Sequence, residues 1–126
     1  MARASLKVVV DTNVLIDYLN GIPQAKAELA RYRDARISLV TWMEVLVGAR
    51  SEHEEQVLGQ FLAGFTLINV DIKVAKLAVE KRRKYRIRLP DAIIWATAEA
   101  HGLLLVTRNS RDFPAEDPGI RVPYQL

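Results

Sequence analysis

Residues 6–20 read LKVVVDTNVLIDYLN. Leu6 to Val10 form a run rich in β-branched residues that stops at Asp11, and the chain then passes into helical spacing from Thr12 to Leu19. A short strand with no polar face is one buried on both sides, the condition of a strand inside a parallel sheet covered by helices. Asp11 therefore stands at the point where a buried strand hands over to a helix.

The same alternation continues outward. Asn20, Gly21 and Pro23 punctuate the chain before a more charged helix from Pro23 to about Tyr32. Ile37–Val40 is the next expected strand, and Thr41–Ala49 the next helix, apolar on nearly every side. Only Thr41, Glu44 and Gly48 break that surface, at helical spacing, so they share one stripe. Ser51 with Glu54 has the form of a capping box and opens a helix to about Leu62. Phe65–Val70 is a third expected strand, Asp71 caps a helix to about Tyr85, and Pro90 opens another that Gly102 closes. Leu103–Val106 is a fourth strand, and the proline-containing tail leaves room for a short one near Arg121 and Val122. Strand–helix alternation of this kind predicts one α/β domain over residues 1–126. Its parallel central sheet has about four to five strands, flanked by helices on both faces with right-handed crossovers. Sites in such folds form outside the carboxyl ends of the strands.

Composition narrows the chemistry. With 126 residues, half of them hydrophobic and 26% charged, the chain has the make-up of a single globular domain. No apolar run is long enough for a membrane span or a signal peptide, and a cytoplasmic protein without a membrane partner is expected. Cysteine is absent, which removes disulfides, thiolate metal sites and cysteine nucleophiles. His53 and His101 both fall on helices, where surface or helix-end roles are expected, and chemistry is left to carboxylates, hydroxyls and amides. Net charge is only +3, yet Lys73 to Arg88 holds eight basic residues against Glu80 alone. A basic segment on an otherwise acidic chain marks a polyanion contact or a partner surface, and a solvated helix end fits it equally well.

Four acids stand at strand ends, at helix starts or on an apolar helix: Asp11, Glu44, Asp91 and Asp112. Singly, each has an ordinary role. Asp11 suits an N-cap, Asp91 the positive end of a helix, and Asp112 a turn. Glu44, among Trp42, Met43, Val45 and Leu46, is costly unless something pairs with it. A parallel sheet can bring all four to one edge, where they repel one another unless protons or cations compensate. A divalent cation is the economical counterion, and oxygen-only ligands select Mg2+ or Mn2+ over zinc. Such a site suits metal-assisted phosphodiester hydrolysis. Asn13, Thr107 and Asn109 are placed to orient water or phosphate beside it, or to serve as local turn and cap groups.

The segments VVVDTNVLID, ISLVTWMEVLVGA and LPDAIIWATAEAHGLLLVTRNSRDF, in this order and spacing, resemble the motifs of PIN-domain ribonucleases, and more narrowly the toxin half of VapBC-type toxin–antitoxin pairs. The resemblance covers about residues 6–114. It implies a Mg2+- or Mn2+-dependent endoribonuclease whose catalytic and metal-binding acids are Asp11, Glu44, Asp91 and Asp112, supported by Thr12, Asn13 and Asn109. Asp11 and Asp91 would be the main ligands. It also implies an RNA substrate, a homodimer, and a small cognate antitoxin over the acidic cleft in a heterotetramer or larger assembly. Two apolar stretches, Trp42–Val47 and Ile93–Trp95, are expected to exceed what one core can cover and to supply the dimer face. Lys81, Arg82, Arg83, Lys84, Arg86 and Arg88, which lead directly to Asp91, are expected to contact the RNA backbone. Trp95 departs from the pattern, where a small residue is frequent, and the tail after Phe113 carries no matching motif. A receiver domain lacks its paired acids and late lysine here, and a dehalogenase-type phosphatase lacks its second aspartate, since Asn13 occupies that place. The rival of another class is a catalytically silent PIN-like module that binds RNA or protein.

Overall fold

The computed structural model describes residues 7–126, so Leu6 of the first expected strand lies outside the described residues. In chain order the elements are β1 (Lys7–Val10), α1 (Thr12–Leu19), α2 (Pro23–Leu29), β2 (Asp34–Ser38), α3 (Leu39–Val47) and α4 (Glu52–Leu62). They continue with β3 (Thr66–Ile68), α5 (Ile72–Tyr85), α6 (Leu89–Ala100), β4 (Leu104–Val106) and β5 (Ile120–Arg121). All five strands pair in parallel, in the order β3-β2-β1-β4-β5.

The β1 run explains both layers of the core. Successive strand side chains point to opposite faces. Val9 joins Ile94, Trp95, Leu105 and Phe113 beneath α5 and α6, while Val8 and Val10 join Val14, Leu15, Ile37 and Val106 beneath α1–α4. Val8, Val9 and Val10 are all fully buried. The chain steps outward from β1 to β2 to β3, then returns across the opposite face to β4 on the other side of β1. The strand order thus reverses between β1 and β4, and the crevice outside their carboxyl ends is where such sheets bind ligands.

The elements depart from the sequence reading in a few places. The second strand lies at Asp34–Ser38, three residues earlier than expected, because Ser38 caps α3 by accepting from the Val40 N–H at 3.1 Å. Asp34 and Arg36 hid this strand from a search for apolar runs, and they satisfy one another at 3.0 Å. The helix from Pro23 ends at Leu29, short of Tyr32. The capping box at Ser51 forms with one change: Ser51 Oγ accepts from the Glu54 N–H, while Glu54 reaches back to the N–H of Arg50.

Trp95 is a core residue, 2% exposed, packed against Tyr85 and edge-on to Phe113. Ile94 is fully buried beside it, so most of the Ile93–Trp95 stretch belongs to this chain's own core and leaves little for a dimer face. Trp42, Met43 and Val47 on α3 do remain exposed.

Candidate active site

The site is built from four segments. Asp11 ends β1 and caps α1, its Oδ1 accepting from the Thr12 N–H at 2.7 Å. Its Oδ2 accepts from the Thr107 hydroxyl at 2.7 Å, just beyond β4. The Thr12 hydroxyl donates to Glu44 Oε1 at 2.7 Å and lies 3.0 Å from the Thr41 hydroxyl, which ties the polar stripe of α3 to the start of α1. Asp91 sits in the first turn of α6, where the helix dipole favours a carboxylate, and Arg88 Nε approaches its Oδ2 at 3.4 Å. Asn13 bridges towards the β4 end, accepting from the Arg108 N–H at 3.2 Å.

Asp11, Glu44 and Asp91 line one cleft of about 300 Å3, together with Thr12, Asn13, Arg88, Arg108 and Asn109. Asp11 is buried, and burial pushes its carboxyl from 3.8 up to about 6. The Thr107 and Thr12 donors pull it back, while the charges of Asp91 and Glu44 raise it further. A carboxylate held out of water beside two others is a place of unmet negative charge. The donors facing the cleft are carboxylates, amides, hydroxyls and guanidinium groups, with no thiol or imidazole, and the oxygens among them are of the kind a hard divalent cation takes. Among the described residues no three carboxylates close into a ready ligand cage. Instead each is held by a protein partner: Asp11 by Thr12 and Thr107, Glu44 by Thr12, Asp91 by Arg88.

Asp112 is not on the cleft wall with the other three. It lies in an adjoining groove, its Oδ2 accepting from Asn109 Nδ2 at 2.9 Å, and Asn109 is shared between groove and cleft. Asp112 is thus joined to the trio through Asn109.

Of the expected RNA contacts, Arg82, Arg83, Lys84 and Arg86 are exposed at the end of α5, and exposed Arg88 reaches the cleft. Lys81 is the exception. It is 8% exposed, donates to Glu99 at 2.8 Å, and lies 3.8 Å from the centre of the Trp95 ring. Its ammonium is turned inward because the ring face and Glu99 together replace its water, so it belongs with the core and not with the exposed cations. The sequence reading missed Asp17, Arg108 and Tyr124. Arg108 Nε and Nη2 clamp Asp17 at 2.5 and 3.1 Å, and the Tyr124 hydroxyl donates to the same carboxylate at 2.8 Å. The signal was present: Asp17 interrupts the apolar face of α1 just as Glu44 interrupts α3.

The sequence pattern of the PIN domain family matches residues 8–115. The chain belongs to the PIN domain family. This PIN domain is 33% identical over 115 residues to Ribonuclease VapC10 of Mycobacterium tuberculosis, across 85% of this chain and 86% of the relative. It resembles a chain in a toxin–antitoxin complex from Klebsiella pneumoniae, with a TM-score of 0.89, 45% identity and coverage of 95% and 100%. A DNA-bound VapBC from Salmonella typhimurium contains a further similar chain, with a TM-score of 0.76, 27% identity and coverage of 92% and 96%. Among the described residues no helix is long and apolar enough to cross a membrane.

Proposed function

We propose that this PIN domain is a Mg2+- or Mn2+-dependent endoribonuclease and the toxin of a toxin–antitoxin pair, acting in the cytoplasm. The observation that carries the reading is the convergence of Asp11, Glu44 and Asp91 on one cleft at the β1–β4 switch point. The ribonuclease name of the VapC10 relative and the toxin–antitoxin setting of the Klebsiella neighbour support it.

Asp11 and Asp91 would hold the divalent ion, with Glu44 and Asp112 as outer groups. When bound, such an ion supplies Lewis-acid charge for the phosphoryl group and a more acidic water. The chain's own residues do the rest. Thr12 and Thr107 fix both oxygens of Asp11, so its orientation needs no reorganisation when substrate arrives. Glu44 hangs from Thr12 with one oxygen engaged, and its other oxygen would orient the attacking water. Asn13 and Asn109 line the cleft from the α1 and β4 sides, where their remaining amide hydrogens would reach phosphate oxygens. Arg88, in releasing Asp91, turns its charge to the RNA backbone beside Arg82, Arg83, Lys84 and Arg86.

An antitoxin that presents a basic side chain to this cleft would compete with both metal and RNA. The exposed Trp42, Met43 and Val47 on α3 are the apolar surface left for a homodimer, and toxin and antitoxin together would form a heterotetramer or larger assembly.

The test is cleavage of single-stranded RNA by the purified chain with Mg2+, with Mn2+ and with EDTA. The expected result is metal-dependent cutting that falls by about a hundredfold or more in Asp11→Asn and Asp91→Asn proteins. Parental rates in both variants would assign the chemistry elsewhere. A monomer by light scattering at micromolar concentration would remove the dimer.

A further inference from the structure

A second groove adjoins the acidic cleft and shares Asn13, Arg108 and Asn109 with it. It has a volume of about 460 Å3, and every side chain that lines it is polar. Beyond the three shared residues it is walled by Ser110, Arg111, Asp112 and Gln125. Its one carboxylate, Asp112, accepts from Asn109 through Oδ2, and Gln125 donates to the Ser110 hydroxyl, so the groove sets two guanidinium groups against one carboxylate, with amide hydrogens to spare.

Arg108 is the better defined of the two cations. Asp17, 5% exposed, takes its Nε and Nη2 hydrogens on one edge, which leaves Nη1 and the outer hydrogen of Nη2 for a second partner. Its backbone N–H is pinned by Asn13. The guanidinium is thus held at a fixed angle on the rim where cleft and groove meet, with a third of its side chain exposed. A planar fork held in this way suits bidentate recognition of a phosphate. Arg111 is exposed further along the groove, and its backbone is fixed by the Asn109 side chain. Arg88, the N-cap residue of α6, brings a further guanidinium to the cleft itself.

We infer that this groove is the binding subsite for the RNA strand leaving the acidic cleft, with Arg108 and Arg111 holding the backbone phosphates that flank the reacting one. The inference rests on the ribonuclease reading and deepens it. A strand lying across the carboxylates needs cations along its path, and Arg88 and Arg108 line the cleft itself while Arg108 and Arg111 continue into the groove. The amides of Asn13, Asn109 and Gln125 are donors and acceptors of the kind that ribose and base edges engage. An apolar peptide anchor finds no surface here, which argues for nucleic acid over protein.

The experiment uses the full chain and a fluorescein-labelled single-stranded RNA of about twelve nucleotides with 2′-O-methyl sugars, bound at several salt concentrations and followed by anisotropy. Arg111→Gln is the primary variant, because the side chain is exposed and its loss leaves the fold intact. Arg108→Lys is the second, with melting temperature measured in parallel because Asp17 loses its fork. The expected result for Arg111→Gln is binding weakened about three- to tenfold and a log–log salt slope shallower by about 0.7, the value of one phosphate contact on a single strand. On cleavable RNA, KM rises by a similar factor while kcat holds. Unchanged slope and KM in a variant that still cleaves would remove the groove from the RNA path and leave the ribonuclease reading standing. A parent chain that neither binds nor cleaves RNA overturns both. Arg111-dependent binding of a poly-glutamate peptide as tight as that of RNA would assign the groove to a protein partner and overturn the inference.

Discussion

Thr107 and Asp11 are 96 positions apart in the chain, yet the Thr107 hydroxyl donates to Asp11 Oδ2 at 2.7 Å. The contact continues the parallel pairing of Val10 with Val106, so sheet register itself brings donor and acceptor together. Thr107 is fully buried, accepts in turn from the Asn109 N–H at 3.0 Å, and fastens the β4 turn to the edge that carries Asp11. Thr107→Val keeps the shape and removes the hydroxyl. The expected loss is about 1–3 kcal/mol in denaturant unfolding, with RNA cleavage reduced more than RNA binding.

Asp11 makes stability depend on pH. Its folded carboxyl titrates at about 6, above the ordinary 3.8, so the native state binds a proton more tightly than the unfolded chain does. This group therefore favours folding below about pH 4 and loses that advantage as pH rises through 6, a difference of roughly 3 kcal/mol from the two values. Asp11→Asn is expected to melt higher than the parent in EDTA above pH 7 and to flatten the melting profile between pH 4 and 7. A variant that melts lower across that range would show that the hydrogen bonds of Asp11 outweigh the cost of its buried charge.

Metal addition is expected to act on the same balance. Free Mg2+ at about 100 times its dissociation constant raises parental stability by about 2.7 kcal/mol, and Asp11→Asn keeps only a fraction of that gain. Equal gains in both proteins, read by thermal melting, would place the ion away from Asp11.

Lys81 and its neighbours on α5 are expected to separate cleanly. Lys81→Met loses the Glu99 bond and the Trp95 ring contact and destabilises by about 1–2 kcal/mol, with the salt slope of RNA binding unchanged. Replacing Arg82, Arg83 and Lys84 by Gln is expected to do the reverse, leaving the melting temperature within a few degrees while flattening the slope.

Glu28 lies 5% exposed beneath the β5 tail, clamped by Arg121 Nε and Nη2 at 2.7 and 3.0 Å and by the Tyr32 hydroxyl. Burial pushes its carboxyl up, but these donors outweigh burial and hold it below the ordinary value. Arg121→Met leaves that charge with only the Tyr32 hydroxyl and the looser Arg31 contact at 3.7 Å, and is expected to cost about 3 kcal/mol at neutral pH. Adding Glu28→Gln is expected to recover part of the loss, because the buried, under-compensated charge is then gone. The parental pair itself stabilises above the usual carboxylate range and fades as acid protonates Glu28.

Much of the fold was legible because apolar runs and caps speak locally. Val8–Val10 marked β1, Asp71 capped α5 as expected, and the punctuation at Gly102 ended α6. The β2 boundary failed because a strand that begins with a mutually satisfied Asp34–Arg36 pair resembles a loop until its partners are known. Asp11, Glu44 and Asp91 were legible from position and from the cost of an acid on an apolar helix. Lys81 was misplaced because charge counting cannot tell which way a lysine turns, a choice made by Trp95 and Glu99 from another helix. Arg108 was passed over because its partner, Asp17, lies 91 positions away.

The dispersal of the cleft along the chain has a consequence during synthesis. Asp11 is made early, but its Thr107 partner, the Arg108 fork and the Tyr124 hydroxyl that shares Asp17 with that fork come about a hundred residues later. While these segments are still inside the ribosome, β4 cannot pair with β1 and the edge that gathers the carboxylates is missing. A chain that has emerged only as far as α6 therefore holds Asp11, Glu44 and Asp91 without the strand that aligns Asp11, and the cleft assembles only after residues 104–108 are free to fold.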